Sequence, residues 1–137
     1  MTTFKIHTPD SAPEKSREIL KAVNGKLGFV PNVAGDLAES PATLKGWVDL
    51  KAASMTGLFS PTERGIVHMT VSYLNNCNYC VAAGTTIGEK DGVPRDLLND
   101  LRSDKPLKDA KLEQLHIFAK AVMKKIDRLD RTDVDAS

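Results

Sequence analysis

Two cysteines three residues apart, in Cys77-Asn78-Tyr79-Cys80, are the side chains of this chain best suited to chemistry. That spacing puts both sulfurs within disulfide range on the first turn of a helix, where unpaired backbone N–H groups and the helix dipole favour a thiolate over a thiol. A thiolate can attack a peroxide oxygen to give a sulfenic acid. The neighbouring thiol then condenses with it to a disulfide, which completes a two-electron cycle. Other readings of the pair stay open. It could be half of a zinc site, although no second cysteine pair exists and His7, His68 and His116 are scattered. It could also be two inert core residues. A thioredoxin-type reading fails on context, because that motif sits near a βαβ pattern and no strand pattern is present.

The elements that must position the pair follow one another at regular intervals, and all of them read as helices. Ser11-Ala12-Pro13-Glu14 opens a first helix, with Ser11 as candidate cap, Ile19, Leu20 and Val23 at helical spacing, and a close at Asn24-Gly25. After the turn at 28–32, a short helix holds Val33 and Leu37, and Pro41 starts a third. There Leu44, Trp47, Val48, Ala52 and Met55 predict one buried face, ended by Gly57. Ser60-Pro61-Thr62-Glu63 is a capping box, so a helix should run from it to about Leu74. Asn75-Asn76 can cap the helix that begins at the cysteines and passes Val81 and Ile87 before Gly92. Pro94–Leu101 and Lys108–Lys125 read as two more, the last with Leu112, Leu115, Phe118, Ala119 and Val122 inward. The fold class expected is all-α, a compact bundle of six to seven helices.

Length, 137 residues, and 41% hydrophobic content suit one domain, read as 1–126 with residues 41–90 at its core. The charged segment 127–137 cannot bury enough surface to offset its ordering entropy and is expected to fray. Net charge is +1 with basic and acidic residues interspersed, which leaves no footprint for nucleic acid. No stretch approaches the about 18 apolar residues of a membrane span, and no targeting segment is visible. A cytoplasmic protein is expected. Since a chain of this size buries only about two-thirds of its unfolded surface, self-association would add burial.

Three stretches resemble the carboxymuconolactone decarboxylase superfamily, and within it the alkylhydroperoxidase D-like branch that carries a CxxC. They are Gly28-Phe29-Val30-Pro31-Asn32, Phe59-Ser60-Pro61-Thr62-Glu63-Arg64, and Asn75-Asn76-Cys77-Asn78-Tyr79-Cys80-Val81-Ala82-Ala83. The resemblance implies a homo-oligomer, commonly a trimer or hexamer, and reduction of a hydroperoxide driven by a dithiol reductant or redox partner protein. No metal or other cofactor is implied. It makes Cys80 the peroxide-attacking thiolate and Cys77 its resolving partner, whereas helix-end electrostatics alone favour Cys77 as the more acidic thiol. Relatives also continue past the long helix, so this chain reads either as a shortened member or as one whose C-terminal packing comes from a neighbouring subunit.

The sequence departs from the family at its proton relay. A Glu twelve residues before the first cysteine and a His four after the second are replaced here by Gly65 and Gly84. Two hydrogens in place of side chains predict a roomier site. His68, one turn beyond Gly65, is the candidate substitute, reaching into the space of the missing Glu; the alternative is a core or interface histidine. Glu63 reads first as a capping acid and second as a relay. Tyr79 either donates to a sulfur or peroxide or simply packs. Two further functions stay in view: a redox sensor or interaction module that has lost the relay, and the ring-opened lactone decarboxylation for which the superfamily is named, although that branch generally lacks the CxxC.

Overall fold

The computed structural model describes residues 5–125, which form seven helices and no strand. The charged segment 127–137 lies outside the described residues. The chain divides into two compact units, Met1–Gly57 and Leu58–Ser137.

The first unit holds α1 (Glu14–Leu27), α2 (Asn32–Leu37) and α3 (Pro41–Ser54), with α1 and α2 both packed on α3. Its core is Ala12, Leu20, Ala34, Ala38 and Leu44, flanked by Ile19, Val30, Trp47 and Val48. The start of α1 differs from expectation. Ser11 does not cap it, because its hydroxyl accepts the Thr8 N–H at 3.0 Å in a preceding turn, and the helix begins after Pro13. The helix also passes Asn24-Gly25 and ends at Leu27, where Gly28 at φ 81° takes the left-handed conformation that a helix stop favours. Ser40 caps α3 through a 3.4 Å bond from Thr43 N–H. The buried face expected along α3 is only half realised. Leu44 is buried and Trp47 and Val48 are half-buried, but Ala52 and Met55 are exposed, Met55 at 49%. Helical periodicity records which residues share a face and cannot record whether anything in the same chain covers it.

The second unit holds α4 (Pro61–Leu74), α5 (Asn78–Lys90), α6 (Arg95–Arg102) and α7 (Ala110–Lys125). Helix α4 is its centre, packed against the other three. Ile66 and Met69 of α4 meet Leu101 and Leu107 in a core completed by Val81, Leu97, Leu112 and Leu115. The capping box of α4 is complete: Glu63 N–H donates to Ser60 Oγ at 3.2 Å, and Ser60 N–H donates to Glu63 Oε2 at 2.8 Å. Helix α7 starts later than expected, after Asp109, whose Oδ1 accepts from Leu112 N–H at 2.9 Å. Leu112, Leu115 and Phe118 are half-buried and Ala119 is buried, as expected, but Val122 is 38% exposed, and His116, not anticipated inside, is fully buried between Asp104 and Glu113 at 3.3 and 3.4 Å. Nδ1 of the ring is bonded to Glu113, whereas Nε2, although near Asp104, makes no hydrogen bond among the described residues.

Candidate functional site

Helix α4 ends at Asn75, and Asn76 at φ 53° turns the chain into α5. Asparagine tolerates that left-handed conformation better than most residues. The turn therefore uses Asn75 and Asn76 to stop one helix, and neither caps the next. The cap of α5 is Cys77 itself: its Sγ accepts the N–H of Cys80 at 3.2 Å. Cys80 is the third residue inside the helix. The two sulfurs are joined in a disulfide, with an S–S distance of 2.01 Å and Cα atoms 5.2 Å apart. Both cysteines are half-buried.

His68 and Gly84 meet across the α4–α5 contact. A Cβ placed on Gly84 would lie 2.7 Å from His68 Nδ1 and 2.6 Å from Met69 Sδ. The imidazole thus lies in the space that a side chain at position 84 would take, one helical turn beyond Cys80. Two expectations change. The ring of His68 fills the place at Gly84, whereas a Cβ at Gly65 would have Val93, at an ordinary 3.7 Å, as its neighbour. Nor is the site roomier at Gly84, since close approach of the helices has used the space. Sequence spacing shows which residues lie along one helix and not which residue of a second helix crosses there.

Glu63 is engaged elsewhere. Beyond the capping box, its Oε1 accepts from Lys111 Nζ of α7 at 2.9 Å. The backbone bond from Ser60, then the Lys111 ammonium, hold its carboxyl down at about 2. A group that stays ionised near neutral pH has no proton to donate there. Tyr79, between the cysteines, is 47% exposed.

A cavity of about 260 Å³ opens beside the disulfide. Ser72 and Tyr73 of α4, Asn76 and Cys77 of the turn, and Arg102 at the end of α6 line it. Arg102 was not singled out by its place in the sequence, which is 25 residues after Cys77 and outside any motif; the packing of α6 on α5 brings it in. Among the described residues, no group of three or more His, Cys, Asp or Glu side chains could hold a metal ion. Among them too, no helix is long and apolar enough to cross a membrane.

An all-helical chain with a helix-capping CxxC disulfide is the class of protein that fold and site define. Residues 41–104, from the start of α3 to just past α6, match the model of the carboxymuconolactone decarboxylase family. That segment includes Cys77 and Cys80, and it is the part of the chain that is similar to the family. The structure is similar to the crystal structure of an uncharacterized peroxidase-related protein from Silicibacter sp. TM1040, with a TM-score of 0.77 and 21% identity. The match covers 98% of this chain and 74% of that one. At that identity the likeness establishes the fold alone. No curated protein matches the chain in sequence.

Proposed function

We propose that this protein is a CxxC-dependent peroxidase or thiol–disulfide oxidoreductase that reduces hydroperoxides. The Cys80 thiolate attacks the peroxide, Cys77 resolves the sulfenic acid to the disulfide, and a dithiol or a redox partner protein regenerates the pair. The observation that carries this reading is the disulfide at the start of α5 with an imidazole packed against the same helix one turn beyond Cys80. His68 acts as the proton carrier, delivered from α4 into the place that a side chain at position 84 would otherwise fill. Imidazole suits the task because its ordinary pKa is closest to neutrality. Glu63 remains a weaker candidate for the relay, given its ties to Ser60 and Lys111. Tyr79, exposed beside both sulfurs in sequence, is available to donate to a bound peroxide. The protein works in the cytoplasm, where a close cysteine pair is kept in exchange with reductants.

The test is hydroperoxide consumption by pre-reduced protein with a dithiol, run beside Cys80→Ser. Turnover that vanishes in the variant supports the peroxidase reading. A reversible disulfide with no turnover in the intact protein moves the assignment to a redox sensor. That second reading has its own support in Leu50 of α3, in Met55 just after that helix, and in Leu58 and Phe59, large apolar side chains left open to solvent. A homo-oligomer, trimeric or hexameric, would cover them.

A further inference from the structure

We infer that the cavity beside Cys77 receives a low-molecular-weight thiol bearing a carboxylate, with Arg102 holding the carboxylate and Cys77 the sulfur attacked. The inference rests on the oxidoreductase reading and names the reductant of that site.

The two halves of such a cycle meet different forms of the protein. A peroxide meets the dithiol, whereas a reductant meets the disulfide, and the structure is that of the disulfide form. A cavity present in this form and lined by one of its cysteines is therefore placed to serve the reductant. Cys77 lines it and Cys80 does not. At about 260 Å³ it lies just under the usual range for ligand pockets, about 300–1,000 Å³, and suits a small molecule better than a folded partner.

The charge of the cavity selects the ligand. Among the described residues, Arg102 is its one charged lining residue, and no carboxylate lines it. Among the described residues the guanidinium makes no ion pair; its bond is a 3.4 Å donation from Nη1 to Thr85 Oγ1. The planar fork of Arg is built for two-point recognition of a carboxylate. The side chains of Asn76 and Asn78 at the same cavity supply neutral amides, which add donors without an opposing charge.

The step balances as ordinary exchange. The thiolate of the bound thiol forms a bond to Cys77 Sγ as the Cys77–Cys80 bond breaks, and the electron pair leaves on Cys80 Sγ. A second thiolate attacks the sulfur of the bound thiol, releasing the small disulfide and the Cys77 thiolate. Two thiols lose two electrons and the protein disulfide gains them. Cys80 emerges as the thiolate that the peroxidase reading requires.

One contact argues for the other direction. The Cys80 N–H bonded to Cys77 Sγ makes Cys77 the better leaving group, which favours attack on Cys80. Exchange rates respond to thiol pKa with a slope of only about 0.5, so one or two units separate the two routes by less than about tenfold. Positioning of a bound reactant is worth several orders of magnitude. Access therefore decides, and it favours Cys77.

The test uses oxidised protein without peroxide. Its disulfide is reduced by 3-mercaptopropionate or by the methyl ester of that thiol at matched thiolate concentration. The expected result is saturable reduction, about tenfold faster with the acid than with the ester. Arg102→Gln abolishes the preference of acid over ester, and Arg102→Lys keeps part of it. Acid quenching and peptide mapping should find the mixed disulfide on Cys77. Equal rates for acid and ester, or a mixed disulfide on Cys80, overturn the inference. So does an Arg102→Gln effect confined to the KM of a carboxylated hydroperoxide, which would assign the anion to the oxidant. Failure of the peroxidase reading alone would look different: selective reduction by the acid, but no hydroperoxide turnover with any reductant.

Discussion

A hydrogen at position 84 admits the ring of His68, so the identities of two residues on different helices explain each other. If the imidazole carries protons for Cys80, His68→Ala should lower kcat/KM for a hydroperoxide by about 100-fold, the lower end for general acid–base catalysis. An unchanged rate in a stopped-flow or coupled assay would remove it from the mechanism. Glu63 makes the opposite kind of prediction. Its carboxyl is held at about 2, below the ordinary 4.5, by the Ser60 backbone bond and then by Lys111. A folded-state pKa that is depressed adds stability above the unfolded value, and that stability disappears as pH falls through the folded one. Stability should therefore decline between about pH 4.5 and 2, and Glu63→Gln should flatten that part of the curve in thermal melts followed by circular dichroism. Equal pH slopes in both proteins would argue against an ion pair of consequence.

Among the elements, α4 carries the most readable start in the chain: Ser, Pro and Glu at fixed offsets specify a cap without tertiary help, and the bonds they predict are present. The beginning of α5 is less readable. Asn75 and Asn76 have the chemistry of caps, but the turn between two packed helices needs a left-handed residue, so Asn76 supplies the bend and a cysteine becomes the cap. Glycines separate the two kinds of information further. Gly46 lies inside α3 with open space around it, and Gly84 lies inside α5 against Met69 and His68. Gly46→Ala should stabilise the protein by about 0.5 to 1 kcal/mol through helix propensity. Gly84→Ala should instead destabilise it by about 1 kcal/mol or more, because Met69 is fully buried and has little freedom to move away. Chemical denaturation of the two variants checks both signs, and equal shifts would mean that the α4–α5 contact yields readily.

At the scale of the molecule, every residue from 49 to 61 is exposed, including Leu50 at 72% and Leu58 without cover. A large apolar side chain as open as Leu58 is a candidate for burial against another molecule. With homo-oligomerisation as the proposal, Leu58→Glu should shift sedimentation velocity towards the monomer while leaving helical content unchanged. A monomeric wild-type protein would refute the proposal outright. The family segment, residues 41–104, begins in the first compact unit and ends in the second. This is the ground for proposing that residues 1–126 act as one domain.

The sequence alone determined what depends on neighbours in the chain: six to seven helices with most boundaries within a few residues, a cysteine pair in disulfide range, and the capping role of Glu63. Those features rest on local hydrogen bonds and on the 3.6-residue period. Tertiary structure decided what depends on one helix crossing another. It brought His68 to Gly84, buried His116 and left Val122 exposed, and carried Arg102 to the cavity beside Cys77. A one-dimensional pattern gives the face a residue occupies on its own helix. What stands opposite depends on crossing angle and depth of approach, which are set by the volumes of all the side chains between.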